Sequence, residues 1–234
     1  MKKFKKTVLI TGGVKRIGKA IAEEFFNAGY ELKIHYNTSE KQAFSLANKF
    51  KAQIFCADFA NCSTSEFYEL LTDTSVLINN ASIYLTDKNP SYVQSKENDK
   101  MQMLVNYEVP LKLMELFNDL NFVDNMSIIN ILDASVLTKD CVYNSYTQSK
   151  FALFNATLTY AKKLAPKIRV NGVAPGTILP PSWIKDGDMS KSLRQMILNT
   201  PPTVDDIAAA CLFFAETCGI TGEVIKVDSG QNIE

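Results

Sequence analysis

The sequence predicts an α/β fold in which a doubly wound, mostly parallel sheet of about seven strands carries helices on both faces. Three observations support this prediction. Short apolar, β-branched runs alternate with helical patterns along the chain, a glycine-rich turn follows the first run, and polar residues follow several later ones. No internal repeat, low-complexity tract or linker interrupts residues 1–234, which we expect to form a single domain.

The composition is that of a globular protein with a large core and balanced charge. Of the 234 residues, 46% are hydrophobic and 21% are charged, and the formal net charge is zero. Balanced charge does not attract nucleic acid or an anionic membrane. No apolar run approaches the roughly 20 residues that span a bilayer. We therefore expect neither nucleic acid nor a membrane as a partner.

The cysteines and the single histidine argue against several kinds of site. Five cysteines without a Cys-x-x-Cys pair indicate neither a disulfide framework nor a zinc site. They predict thiols of a reducing compartment, and we expect a cytoplasmic protein. With His35 as its only histidine, the chain is a poor candidate for a histidine-based triad or a histidine-rich metal site. We expect no metal.

A strand, a glycine turn and a helix at the start of the chain predict an anion-binding site. The predicted strand is Thr7–Ile10, the turn is TGGVKRIG at residues 11–18, and an amphipathic helix follows to Ala28, before Gly29. The backbone N–H groups and the helix dipole at such a turn point at a phosphate. A plain strand-to-helix connection is the alternative. The candidate cofactor-binding residues are Gly12, Lys15, Arg16, Ile17 and Gly18.

The end of the second predicted strand, Glu31–Tyr36, distinguishes between two dinucleotides. An acidic residue near this position binds the ribose 2′-hydroxyl of NAD, but no acid follows here until Glu40. A carboxylate would repel a 2′-phosphate, whereas hydroxyl, amide and imidazole groups would not. The sequence therefore favours NADP(H) over NAD(H), unless these are only strand-end and helix-capping residues. The candidates are His35, Tyr36, Asn37 and Ser39.

The ends of the third and fourth predicted strands carry further candidates. Asp58, followed by Phe59, either accepts a hydrogen bond from an adenine amino group or only stabilises a turn. After the fourth strand come Asn80, Ala81 and Ser82, whose small polar character suits the close passage of a dinucleotide. Tyr84 either stacks on a flat substrate or is an ordinary tyrosine. The surrounding elements are predicted at residues 40–50, 53–56, 63–71 and 76–78.

A helical pattern over residues 98–118 contains Asn106 and Pro110. Proline four residues further on cannot donate to the Asn106 carbonyl, and it kinks the helix. The freed carbonyl can bind a water molecule on a proton path. The alternative is a packing kink without a function.

The stretch from Ile128 to Lys150 contains the candidate residues for proton transfer. A buried strand ends at Asp133, and Tyr146 and Lys150 lie four residues apart on one face of the helix that follows. An ammonium beside a phenol lowers the phenol pKa because it favours the phenolate, so Tyr146 could pass a proton near neutral pH. Asp133 could supply a second proton or a hydrogen bond. The alternative is that Tyr146 and Lys150 are ordinary first-turn residues.

The pattern of residues after Lys150 predicts a subunit interface, further cofactor contacts and a substrate lid. The helix at residues 151–164 is apolar on most sides, which predicts a symmetric contact in a homo-oligomer, either a dimer or a tetramer. The sixth strand, at residues 168–173, is followed by Pro175, Gly176 and Thr177. Residues 178–200 appear irregular, and a loop of this length is a candidate substrate lid. A helix at residues 203–215 and a strand at 224–227 complete the prediction.

These motifs together resemble the short-chain dehydrogenase/reductase family, which has a Rossmann-type fold. The resemblance rests on the Thr-Gly turn, Asn-Asn-Ala, the helix asparagine, Tyr-x-x-x-Lys and Arg-Val-Asn-Gly-Val-Ala-Pro-Gly, which occur in the family's order over nearly the whole chain. It implies that Tyr146 donates a proton, that Lys150 holds the nicotinamide ribose and lowers the tyrosine pKa, and that Asn106 holds a water molecule.

Three departures from the family pattern resemble its pteridine reductase branch, which includes dihydromonapterin reductase-type enzymes. Arg16 and Ser82 stand where the family usually has glycine, and Asp133 stands where it usually has serine. The resemblance implies that Arg16 contacts both cofactor phosphate and substrate. It also implies that Asp133 serves with Tyr146 as a proton source, and that Tyr84 stacks a pterin against the nicotinamide.

The sequence therefore supports three hypotheses of decreasing strength. The first is an NADPH-dependent reductase of small pterins of the dihydropteridine, dihydromonapterin or dihydrofolate type. The second is a 3-oxoacyl-thioester or small carbonyl reductase, which Asp133 disfavours because a carboxylate is a poorer partner than a hydroxyl for a developing alkoxide. The third is a catalytically silent NADP-binding sensor, which the presence of Asn106, Tyr146 and Lys150 disfavours.

Overall fold

A computed structural model describes residues 6–85, 96–119, 125–138, 144–178 and 190–233. Within these residues the strands are β1 Thr7–Ile10, β2 Glu31–Tyr36, β3 Gln53–Cys56, β4 Val76–Asn79, β5 Met126–Ile131, β6 Ile168–Pro175 and β7 Val224–Val227. They form one sheet of seven parallel strands in the order β3-β2-β1-β4-β5-β6-β7. The strand order reverses between β1 and β4, which opens a crevice at their carboxyl ends. The predicted α/β fold is confirmed.

Helices cover both faces of the sheet and bury one apolar core on each side. The helices are α1 Arg16–Asn27, α2 Glu40–Phe50, α3 Thr64–Leu71, α4 Lys96–Met103, α5 Val109–Asp119, α6 Ser145–Leu164, α7 Ser190–Gln195 and α8 Val204–Glu216. Phe25 and Phe214 are fully buried in the core beneath α1 and α8, and Phe117 is fully buried in the core beneath α5 and α6. The inner strands β1, β4, β5 and β6 are buried on both faces, as parallel strands covered by helices are.

Local capping determines where α6 begins, and thereby where its first turn lies. The Asn144 side chain accepts from the Thr147 N–H at 3.0 Å, and the Thr147 hydroxyl accepts from the Asn144 N–H at 3.0 Å. A cap of this kind stabilises a helix by about 1 kcal/mol. It fixes the start of the first turn of α6, which carries Tyr146.

The helical pattern predicted at residues 98–118 is interrupted as expected, but by a π-turn. The turn Leu104–Glu108 separates α4 from α5, and Asn106 lies at its centre. Pro110 follows within the first turn of α5, where its missing N–H disturbs the regular hydrogen-bond ladder. Such π-turns concentrate at functional sites.

The prediction of an irregular loop over residues 178–200 is wrong for α7. Ser190–Gln195 is helical, and residues 179–189 of this candidate lid lie outside the described residues. The segment after α7 packs against the carboxyl-terminal residues, where the Leu198 N–H donates to the Ser229 carbonyl at 3.2 Å. In the part of the chain that is described, no helix has the length and hydropathy to cross a membrane.

Candidate active site

Two glycines let the turn at residues 11–18 fold closely onto the end of β4. Gly12 has a left-handed φ of 62°, and a Cβ there would lie 3.0 Å from the Ala81 Cα. A Cβ on Gly18 would collide with the Gly12 carbonyl oxygen and lie 2.8 Å from Asn80 Nδ2. Both positions therefore require glycine, and the turn offers its backbone rather than side chains to a ligand.

Asn80 and Thr11 hold this turn in place. The Asn80 Nδ2 donates to the carbonyl oxygens of Thr11 at 2.8 Å and of Gly12 at 3.0 Å. The Thr11 hydroxyl accepts from the N–H groups of Asn80 at 2.9 Å and Ala81 at 3.0 Å, and donates to the Ile78 carbonyl at 3.2 Å. The amide nitrogen of Asn80, a predicted cofactor contact, therefore supports the turn instead of facing a ligand.

The amino terminus of α1 has the properties of an anion site. Lys15 occupies the N-cap position in an extended conformation, no side chain caps the helix, and its first turn contains no acid. Its first N–H groups, which include that of Ile17, therefore lack a side-chain acceptor at the positive end of the helix dipole. Lys15 and Arg16 are exposed beside them. Arg16 adopts a left-handed φ of 49°, a conformation that is strained for an arginine.

The structure corrects the predicted role of His35. Its ring is only 3% exposed, Nδ1 accepts from the Gly12 N–H at 3.2 Å, and Nε2 donates to the Ala57 carbonyl at 2.9 Å. This pairing needs a neutral ring protonated at Nε2, and burial lowers the pKa of His35 to about 4. With both ring nitrogens bonded, His35 cannot contact a 2′-phosphate. It aligns the glycine turn instead.

The other residues after β2 divide into buried and accessible ones. Tyr36 is 6% exposed and packs in the core. Asn37 is exposed, and Ser39 occupies the N-cap position of α2, where its hydroxyl accepts no capping hydrogen bond. The side chains of Asn37 and Ser39 are therefore accessible at this strand end, and their contact with a cofactor stays a prediction.

The two candidates after β3, Asp58 and Phe59, contact other residues of the chain. Asp58 accepts from the Ala60 N–H at 3.1 Å and from Asn61 Nδ2 at 2.8 Å, which favours the turn-stabilising alternative for this carboxylate. Phe59 is 7% exposed, and its ring lies flat on His35 with 3.9 Å between ring centres. The Phe59 side chain therefore packs behind His35, contrary to its prediction as a cofactor contact.

Asp133 and Tyr146, which the sequence analysis expected to converge, are in direct contact. The Tyr146 hydroxyl donates to Asp133 Oδ2 at 3.0 Å. The other carboxylate oxygen, Oδ1, accepts from the N–H of Ser135 at 2.9 Å and from its hydroxyl at 2.6 Å. Ser135 thus engages one oxygen of Asp133 and orients the other toward Tyr146.

The expected direction of the Tyr146 pKa shift is wrong in this structure. Burial, together with the charge and hydrogen bond of Asp133, raises the pKa of Tyr146 well above 10. Lys150, which was expected to lower it, lies 5.9 Å from the centre of the tyrosine ring and donates to the Ile131 carbonyl at 2.9 Å. Burial also lowers the pKa of Lys150 to about 8. The bonded anion outweighs the more distant cation, so Tyr146 keeps its proton at neutral pH.

Asn106 joins the segment after β4 to the first turn of α6. It is 1% exposed, and its Oδ1 accepts from the Ile83 N–H at 2.8 Å and from the Ser82 hydroxyl at 3.0 Å. Its Nδ2 donates to the Ile83 carbonyl at 2.9 Å and to the Ser149 hydroxyl at 3.1 Å. Ser149 in turn donates to the Tyr146 carbonyl at 2.6 Å. The water molecule expected on the Asn106 main-chain carbonyl stays a prediction.

Tyr84 places an accessible aromatic ring beside the proton-carrying hydroxyl. It is 41% exposed, and its ring meets that of Tyr146 edge to face, with 4.6 Å between the ring centres. This position favours the prediction that Tyr84 contacts a flat substrate, because a partly exposed aromatic ring adjoins the Asp133–Tyr146 pair.

The predicted cofactor contacts after β6 rest on the carboxyl-terminal segment. Pro175 ends the strand, and the Gly176 N–H donates to the Val227 carbonyl at 2.9 Å. A Cβ on Gly176 would lie 2.5 Å from the Asp228 Cβ, so this approach also requires glycine. The Thr177 N–H donates to Gln231 Oε1 at 3.1 Å. The positions of these residues therefore depend on residues 228–231.

Sequence reasoning missed four supporting residues. Ser135 follows Asp133 at the spacing of an Asx turn, which is a detectable signal. Gln102 precedes Asn106 by four residues and so shares its helix face. Thr11 and Gln231 carried no comparable signal, because their partners are distant in the chain.

The fold and this site define a class of protein: an α/β oxidoreductase whose glycine turn and hydrogen-bonded tyrosine–aspartate pair lie at the carboxyl ends of one parallel sheet. The family model described as Enoyl-(Acyl carrier protein) reductase matches residues 13–232. The chain belongs to the short-chain dehydrogenase/reductase family, as its motifs predicted.

Similar proteins extend over nearly the whole chain. The dihydromonapterin reductase of Escherichia coli is 29% identical, over 97% of this chain and 96% of that protein. The structure of FolM alternative dihydrofolate reductase 1 from Brucella canis, complexed with NADP, has 30% identity and a TM-score of 0.89 over 98% of this chain and 94% of its own. Its counterpart from Brucella suis, also in complex with NADP, has 31% identity and a TM-score of 0.88 over 97% of this chain and 95% of its own.

Proposed function

We propose that this protein is an NADPH-dependent reductase of pterins of the dihydropteridine, dihydromonapterin or dihydrofolate type. The observation that carries the proposal is the hydrogen bond from Tyr146 to Asp133 at 3.0 Å, next to the accessible ring of Tyr84. A flat nitrogen heterocycle fits this combination, because it can lie along an aromatic ring while one of its nitrogens faces an acid. The similar proteins are named as reductases of a pterin and of a folate, which supports this substrate class.

The residues at the glycine turn fit NADP(H) as the cofactor. The helix amino terminus has no side-chain cap, the glycines at positions 12 and 18 leave no room for side chains, and Lys15 and Arg16 add charge. Asn37 and Ser39 would meet the 2′-phosphate, and Lys150 would hold the nicotinamide ribose. The NADP in the two similar Brucella structures supports this choice.

The chemistry needs one hydride and one proton. When bound, the reduced nicotinamide supplies the hydride to the carbon of the substrate C=N bond. Tyr146 holds a proton at its hydroxyl oxygen, because its pKa lies well above 10. The Asp133–Tyr146 pair delivers this proton to the substrate nitrogen and then recovers one from solvent, and the buried ammonium of Lys150 balances the negative charge left on the pair. General acid catalysis of this kind contributes roughly 10²–10⁴-fold.

A spectrophotometric assay of NADPH oxidation against two groups of substrates tests the proposal. The first group is dihydromonapterin, dihydrobiopterin and dihydrofolate, and the second is an acetoacetyl thioester and a small ketone. We expect turnover with the first group and a preference for NADPH over NADH. Turnover with the second group alone would establish the carbonyl reductase instead, and tight NADPH binding without turnover of either group would establish the silent sensor.

We further propose that the protein works as a homo-oligomer, a dimer or tetramer, in the cytoplasm. The outer face of α6 supports an interface, since Phe151 is 50% exposed and lies 6.1 Å from the Phe154 ring centre. A reducing compartment agrees with Cys56, Cys62, Cys211 and Cys218, which are free thiols in the described part of the chain. Light scattering of the purified protein tests the oligomer, and a Phe151→Glu variant tests the face.

A further inference from the structure

Gln102 is a buried amide that links the two aromatic rings of the candidate site through their chain neighbours. Its side chain is fully buried in α4. Oε1 accepts from the N–H of Leu85 at 3.0 Å, next to Tyr84, and Nε2 donates to the hydroxyl of Ser145 at 2.5 Å, next to Tyr146. One amide therefore holds both the segment that carries the exposed ring and the turn that carries the proton donor.

Asn106, four residues later on the same helix face, completes the arrangement. It bonds Ile83 on the other side of Tyr84 and Ser149 further along the first turn of α6. The neighbours of Tyr84 are therefore both bonded: Leu85 to Gln102, and Ile83 to Asn106. The residues on either side of Tyr146 are bonded to the same two amides, Ser145 to Gln102 and Ser149 to Asn106. Two side chains on adjacent turns set the relation between both aromatic rings.

Packing alone does not explain why position 102 carries an amide and not an apolar side chain. It is the buried residue of α4, a helix whose other described residues are polar or only partly covered. Helices of this kind commonly bury an apolar side chain at such a position. An uncharged amide with both groups bonded avoids the cost of an unpaired polar group, but it also imposes direction on its partners.

We propose that Gln102 is a positioning residue that fixes the placement of Tyr84 relative to Tyr146, and thereby the shape of the candidate substrate site beside the two rings. It acts through Leu85 and Ser145 and touches neither substrate nor cofactor. This inference rests on the proposed function for the identity of the substrate, while the hydrogen bonds that carry it do not depend on that identity. Loss of Gln102 would let the two rings move apart and weaken substrate binding, with little effect on the distant glycine turn.

Gln102→Met keeps the length and approximate volume of the side chain and removes both hydrogen bonds. We expect the KM for the dihydropterin to rise about tenfold, which corresponds to roughly 1.4 kcal/mol, while the Kd for NADPH changes less than about twofold. Ser145→Ala removes one of the two bonds and should show a smaller rise, which keeps the test available if Gln102→Met folds poorly. Thr157→Val is the matched control, because Thr157 is fully buried and bonds Asn130 away from the site.

Amide hydrogen exchange tests the same role without any substrate. In Gln102→Met, the Leu85 N–H should exchange at least about tenfold faster, while the Ile83 N–H, held by Asn106, should keep its protection. Faster exchange at Leu85 with an unchanged KM would overturn the positioning role and leave Gln102 as a structural residue. A parallel rise in the KM and in the Kd for NADPH would also overturn it. If the parent protein reduces no pterin, the proposed substrate is wrong, and the same comparison is made with the substrate it does reduce.

Discussion

The glycine turn at residues 11–18 and the Asp133–Tyr146 pair lie at one edge of the same sheet, but the polar side chains of the two regions have different kinds of hydrogen-bond partner. Around the turn, the side chains of Thr11, His35 and Asn80 are neutral and hydrogen-bond to main-chain atoms. At the pair, the ionisable side chains of Asp133 and Tyr146 bond to each other, and burial shifts the pKa of Tyr146 and of the nearby Lys150.

This difference follows from the task of each region. A phosphate site needs backbone N–H groups held in one direction, and neutral partners hold them without competing for the anion. A proton-transfer site needs a group that holds a proton and releases it to the substrate. This requires ionisable side chains whose pKa values are set by the residues around them. Substitutions in the first region should therefore change cofactor affinity, and those in the second should change turnover.

The largest expected effect is that of Tyr146→Phe. Removing the hydroxyl removes the proton that the pair holds, so pterin turnover should fall at least about 100-fold. The Kd for NADPH should change less than about twofold, because the glycine turn is untouched. Steady-state kinetics and fluorescence titration measure the two quantities.

Tyr160→Phe is the control for that substitution. The Tyr160 hydroxyl donates to the Glu115 carboxylate at 2.7 Å, so this variant also removes a tyrosine–carboxylate bond, but away from the site. It should keep normal turnover. An equal loss of activity in both variants would mean that destabilisation, and not proton transfer, explains the Tyr146 result.

His35→Leu should weaken cofactor binding by about tenfold. It leaves the Gly12 N–H without its acceptor, at a cost of about 1–3 kcal/mol for an unpaired buried donor, while turnover at saturating NADPH should remain close to normal. Lys33→Met is the control, since Lys33 is also buried in β2 but donates to the Thr72 carbonyl at 2.7 Å at the carboxyl end of α3. A fall in turnover with unchanged NADPH affinity would contradict the assignment of His35 to the turn.

The same variant has a pH signature. The pKa of His35 in the folded protein is about 4, below its ordinary 6.5, so the unfolded chain binds more protons between these values. The parent protein should therefore lose stability as the pH falls from 6.5 to 4, on the order of 3 kcal/mol from this residue. Urea unfolding across this range should show a shallower loss in His35→Leu.

The smallest effect is expected for Arg16→Gly, and it has two opposite parts. Glycine relieves the left-handed strain at φ 49°, so the free energy of unfolding should rise by up to about 1 kcal/mol. Loss of the cation should raise the Kd for NADPH several-fold. Lys51→Gly is the control, because Lys51 has a φ of 52° at the end of α2 and should give only the stability gain. A variant of Arg16 that is both more stable and binds NADPH normally would show that the arginine has no role at the turn.

Much of the fold was predictable because it depends on short-range signals. The bounds of β1, β2, β3 and β7 follow from apolar runs between turn residues, and α2 follows from its periodicity. The predicted contact of Asp133 with Tyr146 was also correct, because residues at the carboxyl end of a strand and in the first turn of the next helix meet at one edge of a parallel sheet. The helix α7 was missed because it is short and lies in a segment with few periodic apolar residues.

The sequence by itself determined the chemical groups at the site and the strand ends on which they lie. The tertiary structure decided what each group does there: that His35 bonds the glycine turn, that Phe59 packs behind it, and that the pKa of Tyr146 rises. These outcomes depend on burial and on distances between residues far apart in the chain. Since a pKa shift or a hydrogen bond changes steeply with separation, residue identity and spacing could name the participants but not the direction of the effect.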